Sequence, residues 1–394
     1  MSNGQTVGEV RLPQQHPLRM VQIVALVIGV VAAFASFFGY RQNPAAFYHA
    51  YLIVFLYLLG FALGPIGILG LQYITGGRWG VAIRRPLEAA ASTLPLMALL
   101  FIPIVLGMHD LYVWTHADVV ARDTALSAKA GYLNERFFLI RAVIYFVLWI
   151  GASYFLCRLS HQQDVEPGDA MDRKLQFLGR GTLVVYALTM TFASVDWAMS
   201  IEPHWFSHIY GVRMIGGQIL TAFAFAVAIT VVLQREEPLT TIIRPERFHD
   251  LGNLMLAFVM LWAYFELSQF LIIWSADLPE ETSFYIQRLA GEWRIYGILL
   301  VAFHFVVPFL VLLSRPVKRA PARLGAVALM LLVARAADIY WLIDPSYEDP
   351  SLVPHWLAAT LLAAMGGIWL AAYVWRLAAY PLLPVGDTTL LRED

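Results

Sequence analysis

Hydrophobic residues in this chain gather into ten long runs separated by short polar segments. An α-helix needs about 20 residues to cross roughly 30 Å of hydrocarbon, and each run reaches that length. Continuous apolar runs predict helices rather than strands, because a backbone inside a membrane must satisfy its own hydrogen bonds. The pattern predicts an all-α integral membrane protein with ten transmembrane helices, numbered here as spans 1 to 10. They start near Met20, Tyr48, Glu88, Phe137, Thr182, Gly211, Leu251, Arg294, Leu324 and Leu352.

Composition and loop length agree with this class. Hydrophobic residues make up 59% of the 394 residues and charged residues only 14%, which is too apolar for a soluble domain of this size. The longest loop, 110–136, is too short for an extramembrane domain of its own. We therefore expect an N-terminal tail over 1–19, one transmembrane domain over 20–376 and a C-terminal tail over 377–394.

The distribution of basic residues predicts the orientation. Most of the 27 Lys and Arg residues fall in the two tails and in alternate loops, which places both termini in the cytoplasm. The loops 110–136, 277–294 and 344–350, together with the turn at Ser194–Gly211, then face outward. Span 1 is full length and follows a polar stretch, as in a retained anchor rather than a cleaved signal peptide.

Several classes of chemistry are disfavoured. The net charge is −1 and there is no long basic run, so nucleic acid is not an expected partner. The lone Cys157 cannot form an internal disulfide, a CxxCH haem attachment or a four-cysteine iron–sulfur site. No histidine offers a good partner at the depth of His304 for a bis-histidine haem. We expect no catalytic residue, metal site or redox cofactor in this chain.

Charged residues inside the predicted spans are the main candidates for function, because each costs a few kcal/mol in lipid. They form a proposed proton path, mostly in the outer half of the membrane: Asp196, Glu266, His304, Arg335, Asp338, Arg141 near the outer edge, and Glu88 at the inner mouth of span 3.

The outer-half residues allow structural and functional interpretations. Arg335 and Asp338 share one helical face, so they can form an ion pair that only fixes packing. Glu266 has no opposite charge within four residues, which favours a proton relay unless Arg335, Arg141 or His304 reaches it. His304 is either a hydrogen-bonded core residue or a proton-transfer group. The inner half offers mainly hydroxyls, so no carboxylate ladder crosses the membrane.

The turn between spans 5 and 6 reads SVDWAMSIEPHWFSHIYG and is unusually rich in polar and aromatic residues. We call it the corner; besides Asp196 it contains Trp197, Glu202, Pro203, His204, Trp205 and His208. Asp196 is expected to join Glu266 and the other buried charges. The later residues are expected to shape an outer turn, with Pro203 breaking the helix and Trp205 at the headgroup level.

The string TFASVDWAMSIEPHWFSHIYGVRMIGGQ, residues 191–218, resembles the F subunit of alternative complex III. This bacterial quinol:cytochrome c oxidoreductase is unrelated to cytochrome bc1, and the subunit falls in the polysulfide-reductase-like NrfD group. The resemblance implies two four-helix bundles, spans 2–5 and 6–9, flanked by spans 1 and 10, in the bacterial inner membrane. It implies haem c and iron–sulfur clusters in partner subunits, and quinone in a sister NrfD-like membrane subunit.

The favoured function is a scaffold and proton-conducting subunit of a respiratory or photosynthetic quinol oxidoreductase, without a redox cofactor of its own. One alternative is an NrfD-type quinol-binding subunit with an outer site near Asp196, Glu266 and His304. Another is a secondary transporter that uses Glu266 and the Arg335–Asp338 pair. Membrane lipid surrounds the protein in each case.

Overall fold

The computed structural model describes residues 11–77, 79–235, 239–347 and 356–387. These ranges contain ten helices that are long and apolar enough to cross a membrane. The chain is an all-α, multi-pass integral membrane protein, as predicted. The spans are Pro17–Gln42, Pro44–Thr75, Trp79–Leu106, Glu135–Val165, Asp169–Ile201, Tyr210–Leu233, Pro245–Ala276, Trp293–Leu313, Pro321–Ser346 and Trp356–Leu377.

Some spans start earlier than the hydrophobic pattern predicts. Span 3 begins at Trp79 rather than near Glu88, and span 5 at Asp169 rather than near Thr182. Their early turns carry charged residues, Arg84 and Arg85 in span 3 and Asp169 and Asp172 in span 5, so the helices extend beyond the apolar segment that the sequence reveals. The predicted start of span 10 at Leu352 lies outside the described residues.

Shorter helices complete the loops. They are Met108–Leu111, Val113–Thr115, Ala117–Arg122, Thr124–Lys129, Leu239–Ile242, Pro279–Leu289 and Arg315–Arg319. The helix Pro279–Leu289 is called the loop helix below.

Span 2 lies at the centre of the molecule, with 94% of its most apolar 18-residue window buried. It packs against spans 3, 5, 6 and 10. Close contact is possible because glycines face the neighbouring helices: a Cβ at Gly67 would lie 2.8 Å from the Tyr186 ring, and one at Gly70 would lie 3.1 Å from the carbonyl oxygen of Gly179. These glycines therefore serve close helix packing.

The helices form the two predicted bundles. Spans 2 to 5 pack together, spans 6 to 9 pack together, and spans 2 and 6 join the two groups. Span 1 packs along span 10, which also contacts span 2. The molecule has two ends. The corner face is formed by the corner, loop 107–134 and the loop helix. The terminal face is the opposite end, where span 10 ends.

Part of the predicted C-terminal tail belongs to the folded body. Leu382 and Leu383 are buried, and the backbone N–H of Gly386 donates to Asp164 Oδ1 at 3.2 Å. Asp387 forms an ion pair with Arg84 of span 3. The segment 378–387 thus packs on the ends of spans 3 and 4 at the terminal face.

Candidate functional site

Four charged residues meet inside the second bundle and form what we call the four-charge cluster: Arg213 of span 6, Glu266 of span 7, and Arg335 and Asp338 of span 9. Arg213 Nε donates to Glu266 Oε1, and Arg335 Nη1 donates to Asp338 Oδ2. Arg213 Nη2 lies 3.7 Å from Asp338 Oδ1, which joins the two pairs. The predicted Arg335–Asp338 pair is present as half of this cluster.

The cluster is buried and electrically balanced. The side chains of Arg213, Arg335 and Asp338 are 2–3% exposed, whereas that of Glu266 is 16% exposed. Two positive and two negative charges sum to zero, which offsets much of the cost of removing each from water. Gly217 makes room, since a Cβ there would lie 2.7 Å from Arg335 Nη1.

Arg213 is the functional residue that the sequence did not single out. It stands two residues after the corner, near the start of span 6. The predicted partners of Glu266 were Arg335, Arg141 and His304; the structure instead gives it Arg213. The sequence does contain one sign of this role, because Arg213 is a basic residue within the first turn of an apolar span.

Two polar side chains near the cluster lack protein partners. His304 lies in a π-helical turn, Ala302–Val306, and is fully buried. Its ring meets Trp262 edge-on at 3.9 Å between centroids, while Trp262 Nε1 donates to Asp338 Oδ2 at 3.2 Å. Within the described residues, neither ring nitrogen of His304 and neither amide atom of Gln269 has a hydrogen-bond partner. The predicted alternative of a hydrogen-bonded core histidine therefore finds no support here. π-Helical turns occur frequently at functional sites.

Asp196 belongs to a separate site. It accepts hydrogen bonds from Arg141 Nε and Nη2, both at 2.8 Å, and from the Tyr145 hydroxyl at 2.8 Å. The Arg141 guanidinium also lies 3.9 Å from the Tyr132 ring centroid. The expectation that Asp196 joins Glu266 is not met. The carboxylate of Asp196 binds Arg141 and Tyr145, whereas that of Glu266 binds Arg213. The Asp196 carboxylate of span 5 thus accepts three hydrogen bonds from span 4 and holds the two spans together, and we call this contact a structural lock.

The first half of the corner is packed into an aromatic core. Trp197 is fully buried and lies 4.6 Å from the ring of Phe101 and 5.6 Å from that of Trp149. The regular α-helix ends at Trp197, and a short 3-10 turn, Met199–Ile201, follows. Pro203 comes two residues after the span ends at Ile201, where a residue that cannot continue the helix is expected.

The second half of the corner holds the loops of the corner face together. Trp205 is buried, stacks on Phe284 of the loop helix at 4.3 Å, and donates through Nε1 to the Glu281 carbonyl at 3.1 Å. It therefore packs against the loop helix inside the protein. Lys129 Nζ donates to the Pro203 carbonyl at 2.5 Å, which ties loop 107–134 to the same turn.

Glu202 forms a buried junction with Arg288 of the loop helix. Arg288 is fully buried and donates through Nη2 to Glu202 Oε1 at 3.0 Å, to the Leu342 carbonyl at 2.7 Å and to Ser346 Oγ at 2.6 Å. Burial lowers the pKa of Arg288, and the Glu202 carboxylate opposes that shift. One side chain thus joins the corner, the loop helix and the end of span 9.

The two corner histidines are exposed. His204 Nε2 lies 2.6 Å from Asp123 Oδ2, while His208 is at the surface. Hydrogen bonds from the Leu126 backbone N–H and from His204 hold the pKa of Asp123 below its ordinary range. The corner residues after Asp196 therefore act mainly in structure.

A second charged network lies at the terminal face, around Glu88. Glu88 Oε2 lies 2.5 Å from Arg85 Nη1 and 3.5 Å from His161 Nε2, and its other oxygen accepts from the Tyr73 hydroxyl at 3.4 Å. Arg85 also pairs with Asp164. Glu88 is thus enclosed by basic groups from spans 3 and 4, next to the packed C-terminal segment.

Buried polar side chains lie between the two networks, along spans 5 and 6. Gln218 follows Arg213 by five residues, about 7.5 Å along the helix, and accepts from the Tyr186 hydroxyl at 3.0 Å. Thr182 is buried one turn from Tyr186 towards the terminal face. Tyr73, which binds Glu88, packs against Gly179 of the same span 5. Hydroxyl and amide groups therefore occupy the core between the four-charge cluster and Glu88.

The fold and these buried charges define a class, a polytopic helical membrane protein with an ionisable interior. Among the described residues, no group of three or more His, Cys, Asp or Glu side chains is placed to hold a metal ion. No protein-family model matches the chain, and no curated protein matches it.

Proposed function

We propose that this chain is a membrane subunit of an alternative complex III-type quinol:acceptor oxidoreductase in the bacterial inner membrane. The motif at residues 191–218 and the ten-span, two-bundle fold support this assignment. In this proposal the terminal face is cytoplasmic. Electrons pass through iron–sulfur and multihaem cytochrome c subunits, quinone binds in a sister NrfD-like subunit, and this chain is a scaffold that conducts protons.

The observation that supports proton conduction best is the four-charge cluster and its polar connection towards Glu88. Intramembrane ionisable groups that are buried and paired commonly mark proton or ion pathways. Glu266 is the member of the cluster with the greatest exposure, so its carboxyl is the natural point of proton exchange. His304 and Gln269 add unpaired hydrogen-bonding atoms beside it.

The proposed path excludes two predicted members, Asp196 and Arg141. They are bound to each other and, among the described residues, form no hydrogen bond or ion pair with the cluster, so they serve as a structural lock in this proposal. The path therefore runs from Glu266 and the paired charges, past Gln218 and Tyr186, to Glu88.

Isolation from native membranes tests the assignment. The chain would be tagged at its C-terminus and extracted with a mild detergent. Co-purification of a c-type cytochrome and an iron–sulfur protein, with quinol oxidation by the preparation, is expected. Isolation of the chain alone, with substrate uptake into liposomes, would instead identify a secondary transporter.

A further inference from the structure

A large lateral cavity lies between spans 7 and 8 and the loop helix. Its volume is about 760 Å³, in the range of small-molecule sites. Most of the wall is apolar side chain from the two spans. Glu266, Gly297, Ala302 and Trp341 are among the residues that line it.

The cavity opens where lipid would cover the protein. Tyr264, Leu267, Ile298 and Val301 line it, and their exposed fractions are 63%, 58%, 62% and 49%. All four lie in membrane-spanning helices. An occupant therefore enters from the bilayer and must carry a substantial apolar part.

Several hydrogen-bonding side chains line the cavity, including the exposed Arg294 and Tyr285, whose hydroxyl has no partner in the described residues. Two of them, Glu266 and Trp341, carry the argument. Glu266 lines the cavity and is the only residue of the four-charge cluster to do so. Its carboxylate has several acceptor sites, and the bond to Arg213 uses one. Trp341 Nε1 has no hydrogen-bond partner in the described residues and would lie 3.4 Å from a Cβ at Gly297. A carboxylate acceptor and an indole donor thus flank the same space.

The depth of Glu266 in the membrane restricts the chemistry of the ligand's head group. Glu266 precedes the end of span 7 at Ala276 by ten residues, which is about 15 Å along the helix. A charged head at that depth is costly, whereas a neutral one is not. A hydroxyl group can donate to Glu266 and accept from Trp341, which an ether or a ketone cannot do.

We propose that this cavity binds a neutral, hydroxyl-bearing lipid with a long apolar tail, whose hydroxyl contacts Glu266 and Trp341. Because Glu266 belongs to the four-charge cluster, the ligand lies directly against that cluster, and the π-helical turn of span 8 supplies Ala302 to the same wall. This inference is independent of the proposed complex, because it concerns binding to the chain itself.

Photolabelling in nanodiscs of phosphatidylcholine tests the site. The probe is a sixteen-carbon alcohol with a diazirine in its tail, compared with its methyl ether and with the matching carboxylic acid; sites are mapped by mass spectrometry. Saturable labelling of spans 7 and 8 is expected, and loss of the hydroxyl donor should weaken half-saturation about tenfold.

Three variants locate the binding. Gly297→Leu should abolish the saturable labelling, because its side chain fills the cavity while its Cβ meets only ordinary contacts. Gly151→Leu is the matched control, since nothing lies within 4 Å of a Cβ there. Glu266→Gln should weaken the alcohol and leave the ether unchanged.

Four outcomes would overturn the proposal. Non-saturable labelling spread over all lipid-facing spans, or unchanged labelling in the Gly297→Leu variant, would refute the site. Equal half-saturation for alcohol and ether would refute the hydroxyl contact. Tighter binding of the acid would show that the site selects an anion instead. A thermal melt of each variant separates loss of binding from loss of folding.

Discussion

Replacement of Asp338 by Leu probes the pairing inside the four-charge cluster. This carboxylate faces Arg335 and Arg213 and accepts from Trp262 Nε1. Its loss leaves two guanidinium groups against Glu266 alone, so one buried positive charge is uncompensated. Breaking a buried ion pair in this way costs about 3–5 kcal/mol of unfolding free energy.

The double replacement of Asp338 and Arg335 by Leu should be milder than the single one. It leaves the Arg213–Glu266 pair in place and restores a net charge of zero. Replacing a buried pair by apolar residues is often neutral, while the unpaired Trp262 N–H costs about 1–3 kcal/mol. The Trp262 N–H is unpaired in the single and in the double variant, so it does not affect the difference between them, and the second change should recover about 3–5 kcal/mol of unfolding free energy.

Unfolding in mixed micelles, titrated with SDS and followed by tryptophan fluorescence, measures these differences. The exposed pair Arg319–Glu246, 3.8 Å apart, is the control; its coupling should be about 0–1 kcal/mol. A double variant that is as unstable as Asp338→Leu, or less stable, would refute the pairing.

Three further predictions concern the corner face and its neighbours. Asp196→Asn should lower the unfolding free energy by about 3–5 kcal/mol in the same assay, because it leaves Arg141 buried without a charge partner; a change below about 1 kcal/mol would contradict the lock. Arg288→Met should increase proteolysis of the loop helix, as should Glu202→Gln more weakly, and unaltered cleavage of both would contradict the junction. Asp123 has a lowered pKa, so its stabilising contribution is present at neutral pH and is lost as pH falls through that lowered value. The difference in melting temperature between the native chain and Asp123→Asn should therefore shrink on acidification. A difference that stays constant with pH would contradict this prediction.

The membrane class and the number of spans could be predicted from the sequence because hydrophobic length alone sets them. The Arg335–Asp338 pair was equally accessible, since residues three apart share a helical face. Contacts between different helices could not be predicted from the sequence. Asp196 meets Arg141, and Glu266 meets Arg213, across more than fifty positions of sequence.

These contacts depend on how each helix is rotated about its own axis, which an apolar sequence does not specify. Span 2 is apolar on nearly all sides, so its sequence pattern does not show which face meets which neighbour. Rotation is decided by side-chain packing, such as Gly217 against Arg335 and Gly67 against Tyr186. The loop helix shows the same limit, because a basic residue in a loop sequence such as Arg288 gives no sign of its burial against Glu202.

Proton release by the assembled complex in liposomes, measured together with quinol oxidation, tests the central claim most directly. In Glu266→Gln the proposal predicts near-native quinol oxidation and markedly fewer protons translocated per electron. The exposed Glu280→Gln of the loop helix is the matched control and should leave both quantities unchanged. Native proton translocation in Glu266→Gln, or a complete loss of electron transfer with the complex intact, would contradict a proton-conducting role for this chain.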